Sequence, residues 1–156
     1  CLDIEEDRDR SLKREVLCDD EYAVVAGRRH PLGRRDDVET ADLAEWPWIL
    51  GRNLGDVATA WESVWRDAGL PAPVPVLETN SLDFCRLALP ESQLLTILPR
   101  GLVAADVAAR RLQIIPVADF AWDRPISLYR LRSAGTAPAL EALIAELRRA
   151  AAAWRS

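Results

Sequence analysis

Apolar and polar positions alternate along this chain in short blocks that switch period every ten to fifteen residues. Glu21-Tyr22-Ala23-Val24-Val25-Ala26 is a β-rich run, entered from Glu15-Val16-Leu17-Cys18 and stopped by Gly27, and it predicts a strand. His30 precedes Pro31, which pushes it out of helical geometry, so Arg28 to Gly33 reads as a turn. Thr40 to Glu45 predicts a short helix with Thr40 as N-cap, and Trp48-Ile49-Leu50 a brief buried strand. Val57, Trp61, Val64, Trp65 and Ala68 recur at three- and four-residue spacing, which makes one apolar stripe. Asp56 is that helix's expected N-cap, and Gly69 with Pro71 ends it. Pro73 to Glu78 is extended, and Thr79-Asn80-Ser81 caps a helix through Leu82, Phe84, Cys85 and Leu89.

Further strands are predicted at Leu94–Leu98, Leu112–Val117 and Ile126–Leu131, with a helix over Leu102–Ala109. The last element has the clearest face: Thr136 caps, and Leu140, Leu143, Ile144, Leu147, Ala151 and Trp154 follow one another along one side. Strands alternating with helices from Glu15 to Val117 argue for an α/β fold with a mixed, largely parallel sheet.

Composition narrows the classes. Of 156 residues, 49% are hydrophobic and 29% charged, which fits a globular chain with a real core. No apolar run reaches the roughly 20 residues of a membrane span. The balance of 20 basic and 25 acidic residues gives a net charge of −5, and no basic cluster exceeds pairs such as Arg110-Arg111, so direct DNA binding by this chain is not expected. The acidic start at Cys1 to Asp7 lacks the basic and apolar regions of a signal peptide. Methionine is absent, even at position 1, so the chain is expected to be a fragment or processed product. Three dispersed cysteines, without a C-x-x-C spacing, suggest neither a disulfide framework nor a zinc site; Cys18 and Cys85 read as small buried hydrophobes in a reducing cytoplasm.

Several passages carry a family resemblance. E-V-L-C-D-D-E-Y-A-V-V-A-G-R-R-H-P-L (Glu15 to Leu32), D-L-A-E-W-P-W-I-L (Asp42 to Leu50), A-G-L-P-A-P (Ala68 to Pro73), V-L-E-T-N-S-L (Val76 to Leu82), L-L-T-I-L-P-R (Leu94 to Arg100), R-P-I-S-L-Y-R (Arg124 to Arg130) and P-A-L-E-A-L-I-A-E-L-R (Pro138 to Arg148) resemble, in this order, the effector-binding domain of LysR-type transcriptional regulators. The resemblance implies a periplasmic-binding-protein-like (type 2) fold of two α/β lobes with a ligand cleft between them. It divides the chain into residues 1–20 as a remnant of the first lobe, 21–125 as the second lobe, and 126–156 as the return strand and closing helix of the first. The helix-turn-helix expected ahead of this region is absent, and Leu89-Pro90-Glu91-Ser92-Gln93 stands where the family often has a Gly-rich turn.

For site chemistry, Thr79-Asn80-Ser81 offers hydroxyls and helix-start N–H groups to an anion; the plainer reading is that Ser81 or Thr79 only caps. Gly51-Arg52-Asn53 lies in a loop where Arg52 suits a carboxylate; the plainer reading is a solvated arginine. The resemblance puts Gly51, Arg52, Asn53, Thr79, Asn80, Ser81, Leu98 and Pro99 at the effector site. His30, the only histidine, has no persuasive catalytic neighbour and fits its turn; the acidic runs Asp19–Glu21 and Asp36-Asp37 read as solvated.

Together these features predict a small-molecule effector-sensing domain of a cytoplasmic LysR-type regulator. The expected effectors are small organic molecules, carboxylates among them. No catalytic residue, metal or cofactor is expected. DNA is expected to be reached only through a separate helix-turn-helix domain, and the chain is expected to self-associate through its closing helix and the edge of the Ile126–Leu131 strand, the alternative being that the helix folds back and hides its stripe internally. The alternatives are a stand-alone solute-binding protein of a transport system and, behind it, a small α/β enzyme.

Overall fold

A computed structural model describes residues 2–3, 11–51, 57–118, 120, 122–132 and 137–154. The chain orders its elements as β1 (Leu2–Asp3), β2 (Leu12–Gly27), α1 (Thr40–Leu43), β3 (Ile49–Gly51), α2 (Val57–Asp67), β4 (Leu77–Thr79), α3 (Leu82–Ala88), β5 (Leu95–Pro99), α4 (Arg100–Ala108), β6 (Leu112–Ile114), β7 (Trp122–Leu131) and α5 (Pro138–Trp154), with a 3-10 turn at Pro31–Arg34. It divides into two compact units, one of Cys1–Asp20 with Asp123–Ser156, the other Glu21–Trp122.

In the second unit the apolar run Tyr22 to Ala26 is buried on both faces, which requires layers on each side. β2 pairs antiparallel with β5, Tyr22 opposite Pro99, and with β6, Val25 opposite Ile114. β3 and β4 pair in parallel, and an isolated parallel bridge between Trp48 and Leu95 ties them to β5. β3, β4, β5 and β6 therefore share one direction and β2 runs against them, which is the mixed, largely parallel arrangement.

Alternation along the strands sorts the core into two layers. Tyr22, Val24 and Ala26 join Trp48, Leu95 and Ile97 on one face, where α2 adds Trp61 and Trp65. Val25, Ile49 and Leu98 face the other way, onto Cys85 and Leu89 at α3 and Val103 of α4. The Trp48, Trp61 and Trp65 rings meet edge to face with centroids 4.5 to 6.2 Å apart. Trp48 Nε1 donates to the Leu43 carbonyl at 3.0 Å.

Two local expectations change. Thr40 is not the cap of α1: it lies inside the first turn and is buried, while Glu39 forms a capping box with Asp42, whose carboxylate accepts from Glu39 N at 2.9 Å. The stretch in place of a Gly-rich turn is shaped by Ser92, whose hydroxyl donates to the Leu89 carbonyl and accepts from Leu94 N. Gly69, at φ +70°, ends α2 as expected. The expected caps Asp56 and Thr136 lie outside the described residues.

In the first unit, β7 pairs with β1, Leu2 opposite Leu128, and with β2 on its other side. Over this stretch β7 is therefore not an open edge. α5 lays Ile144 and Ala151, with Leu140 and Leu147, onto Leu17, Cys18, Ile126 and Leu128. The apolar stripe expected to drive self-association is thus largely covered within the unit; among its described side chains only Leu143 is exposed. Arg148 grips Glu15 with two bonds, Nε at 2.7 Å and Nη2 at 2.8 Å.

Candidate functional site

Four strands with one direction bring their carboxyl ends to one edge of the second unit, the edge at which open α/β sheets receive ligands. Gly51 and Thr79 end adjacent strands there in direct register. Pro99 ends β5, and α4 starts at the next residue.

At Thr79–Ser81 the geometry is that of a cap. Ser81 Oγ accepts from Phe84 N at 3.1 Å, and Thr79 Oγ1 accepts from Ser81 N at 3.1 Å. Two of the N–H groups that an anion would have used are therefore already bonded. Asn80 is exposed beside them. Leu98 is fully buried among Val25, Ile49 and Val103, so its side chain lines the core rather than a ligand site, and Pro99 is buried too. Arg52 and Asn53 lie outside the described residues.

The edge also holds a cavity of about 300 Å³ that the sequence reading missed. One wall is the Tyr22–Val24 stretch of β2, and another is Ile115–Ala118 beyond β6. Ile115 N donates to the Val24 carbonyl at 2.9 Å, and Ala118 N to that of Val38 at 3.2 Å, which fixes this second wall. Phe120 also lines it, and the Tyr22 ring packs at a tilt against Trp122 with centroids 4.2 Å apart. Asp36 and Arg100 supply the charge, and Arg100 Nε sits 2.5 Å from Glu21 Oε1. Arg100 is within reach of the sequence, since it directly follows Pro99; Asp36, exposed in its loop, reads in sequence as one of a solvated acidic pair.

His30 does what its turn demands. It is buried against Trp46, with ring centroids 4.3 Å apart, and Nδ1 accepts from Leu32 N at 3.3 Å. Burial lowers its pKa from the usual histidine value. Cys18 and Cys85 are buried and form no disulfide among the described residues, and burial raises the pKa of the Cys85 thiol. Behind the edge, Asp106 is buried and accepts from Arg86 Nη1 at 2.6 Å and Arg111 Nε at 2.7 Å, joining α3, α4 and the turn into β6. Chiefly the Arg86 bond holds its carboxyl below the ordinary range. Among the described residues no helix is long and apolar enough to cross a membrane.

Residues 2–152 match the family described as the LysR substrate binding domain. The chain belongs to that family. It is 30% identical over 134 residues to the HTH-type transcriptional regulator GalR of Pseudomonas putida, an alignment covering 86% of this chain and 34% of that protein. It is 23% identical over 119 residues to the HTH-type transcriptional regulator CysL of Bacillus subtilis, covering 76% of this chain and 40% of the relative. The chain thus spans well under half the length of these two curated relatives. In fold it is similar to the regulatory domain of CcmR from Synechocystis PCC6803, solved in complex with 2-PG: TM-score 0.80 at 17% identity, over 96% of this chain and 72% of that one. The α/β architecture is the periplasmic-binding-protein-like one of LysR effector-binding domains.

Proposed function

We propose that this chain is the small-molecule-sensing part of a LysR-type transcription regulator, acting in the cytoplasm by binding and without covalent chemistry. The observation that carries the reading is the cavity at the carboxyl edge of the strands in a member of this family. The co-complex of the CcmR regulatory domain with 2-PG supports small-molecule binding by this fold. Effector binding would bias one of two arrangements of the whole regulator, and the change would reach DNA through a helix-turn-helix domain such as the names of the curated relatives imply.

Within this reading the effector enters the cavity beside Arg100. Gly51, Thr79, Asn80 and Ser81 form the adjoining rim. Self-association belongs to the proposal as well. With the α5 stripe covered, the apolar surface that supports it is Val74, Val76 and Leu77 at β4 with Phe84 and Leu87 of α3.

A thermal-shift screen of small metabolites tests the function. A ligand that binds only the folded state raises the melting temperature as its concentration passes Kd. The expected result is at least one compound that stabilises the chain but not Ala118→Trp, which fills the cavity from an exposed position. If every stabilising compound acts equally on both, or none acts, the reading is overturned.

A further inference from the structure

The charges around the cavity set what it accepts. Arg100 is its one lining cation among the described residues, and that guanidinium is already matched by Glu21. Among the described residues Asp36 is its one lining carboxylate, and none of them forms a hydrogen bond or ion pair with it. Counting Glu21, the described lining and its immediate partner hold two carboxylates against one guanidinium. A simple organic acid entering here must share or displace Glu21 from Arg100 while meeting Asp36 as a like charge. A protonated amine meets the opposite situation. It finds a carboxylate with no described cation on it, in a cavity that Tyr22 and Phe120 help to line.

We propose that the effector is a small amine-bearing molecule, a primary amine or an amino acid, whose ammonium group is held by Asp36 and whose apolar body lies along Tyr22, Ile115 and Phe120. This rests on the effector-sensing reading above and names the ligand class of that site. A ligand carboxylate, when present, takes its place at Arg100 in competition with Glu21, so it adds less than the ammonium does. The carboxylate class expected from Arg52 is thereby replaced by an amine or a zwitterion. Glu21 acts as a built-in stand-in for a ligand carboxylate. It keeps Arg100 from capturing the abundant simple acids that an open guanidinium would bind.

Three probes of one shape separate the classes: isoamylamine, leucine and isocaproate. They share the same branched apolar end and differ in whether they carry the ammonium, both groups or the carboxylate. Calorimetric or NMR titration of the 156-residue chain up to high millimolar concentration should show isoamylamine and leucine binding, and isocaproate binding at least about tenfold more weakly. Asp36→Asn, an exposed loop substitution, should weaken the two amines about tenfold and leave isocaproate unchanged. Glu21→Gln should strengthen isocaproate by unmasking Arg100. Isocaproate binding as tightly as the amines, with loss in Ala118→Trp, would overturn the amine class and leave the effector-sensing function standing. Amine binding indifferent to both Asp36→Asn and Ala118→Trp overturns the site. Failure of all three probes rejects the amine class as stated, and the metabolite screen then decides separately on the function.

Discussion

A Cβ added to Gly27 would fall 2.4 Å from the carbonyl oxygen of Leu89. The obstacle is main chain, held in turn by the Ser92 hydroxyl, so it cannot swing away as a side-chain tip would. Gly27→Ala should cost about 1–3 kcal/mol through overpacking. Urea unfolding monitored by circular dichroism should show a lower midpoint with unchanged slope. An unaltered midpoint means the Leu89–Leu94 turn yields more readily than its bonding implies.

Asp106 is expected to dominate the acid limb of stability. Its folded pKa is depressed, so its contribution is complete above about pH 4 and is lost as pH falls further through the folded value. Asp106→Asn should cost about 2 kcal/mol at neutral pH and flatten that limb. Denaturant midpoints at matched pH values for both proteins check this; parallel curves contradict it.

His30 acts at higher pH. It is held neutral by burial, and its Nδ1 is occupied as an acceptor. Stability from this group is complete above the unfolded pKa of about 6.5 and drains away as pH falls from there through the lowered folded value. His30→Asn, which keeps a cap acceptor without the titration, should remove the midpoint shift between about pH 7 and pH 5. The same shift persisting in the variant would assign it elsewhere.

The Ser81 hydroxyl supports α3 by one bond to Phe84 N. Its removal in Ser81→Ala should cost about 0.5–2 kcal/mol. Effector affinity measured on the same variant reads its second role. Retained affinity would leave Ser81 as a cap and nothing more.

Val74, Val76 and Leu87 are 87%, 65% and 68% exposed in one unit, apolar side chains open to a second copy. Sedimentation equilibrium should show concentration-dependent association, abolished in the double variant Val76→Lys, Leu87→Glu. Association that survives both changes must use another face.

The sequence made the alternation of strands and helices legible because each element carries its own period and its own stop signal. Tyr22 to Gly27, the Trp61 and Trp65 stripe and the Ser81 cap all stand where the pattern set them. What escaped was whatever depends on distant partners. Leu98 reads like a site residue beside Pro99, yet strand alternation turns it into the core. Glu39 caps in place of Thr40 because Asp42 reaches back to its N–H, a partner three residues on, while Thr40 is buried inside the first turn. The cavity joins Tyr22, Asp36, Arg100 and Phe120, four places about a hundred residues apart at the extremes, and no local pattern announces that meeting. The apolar stripe of α5 is legible from its spacing, but spacing does not say whether a second copy or the same chain covers it; Leu17 and Leu128 of its own unit do.

The three indoles of Trp48, Trp61 and Trp65 also make the protein its own optical probe. Rings this close exchange excitation, and tilted transition dipoles turn that exchange into a paired positive and negative band in circular dichroism. The couplet vanishes once α2 leaves the strand carrying Trp48, even if each helix and strand persists. Loss of packing in the unit that bears the cavity can thus be watched apart from loss of secondary structure, with no label attached.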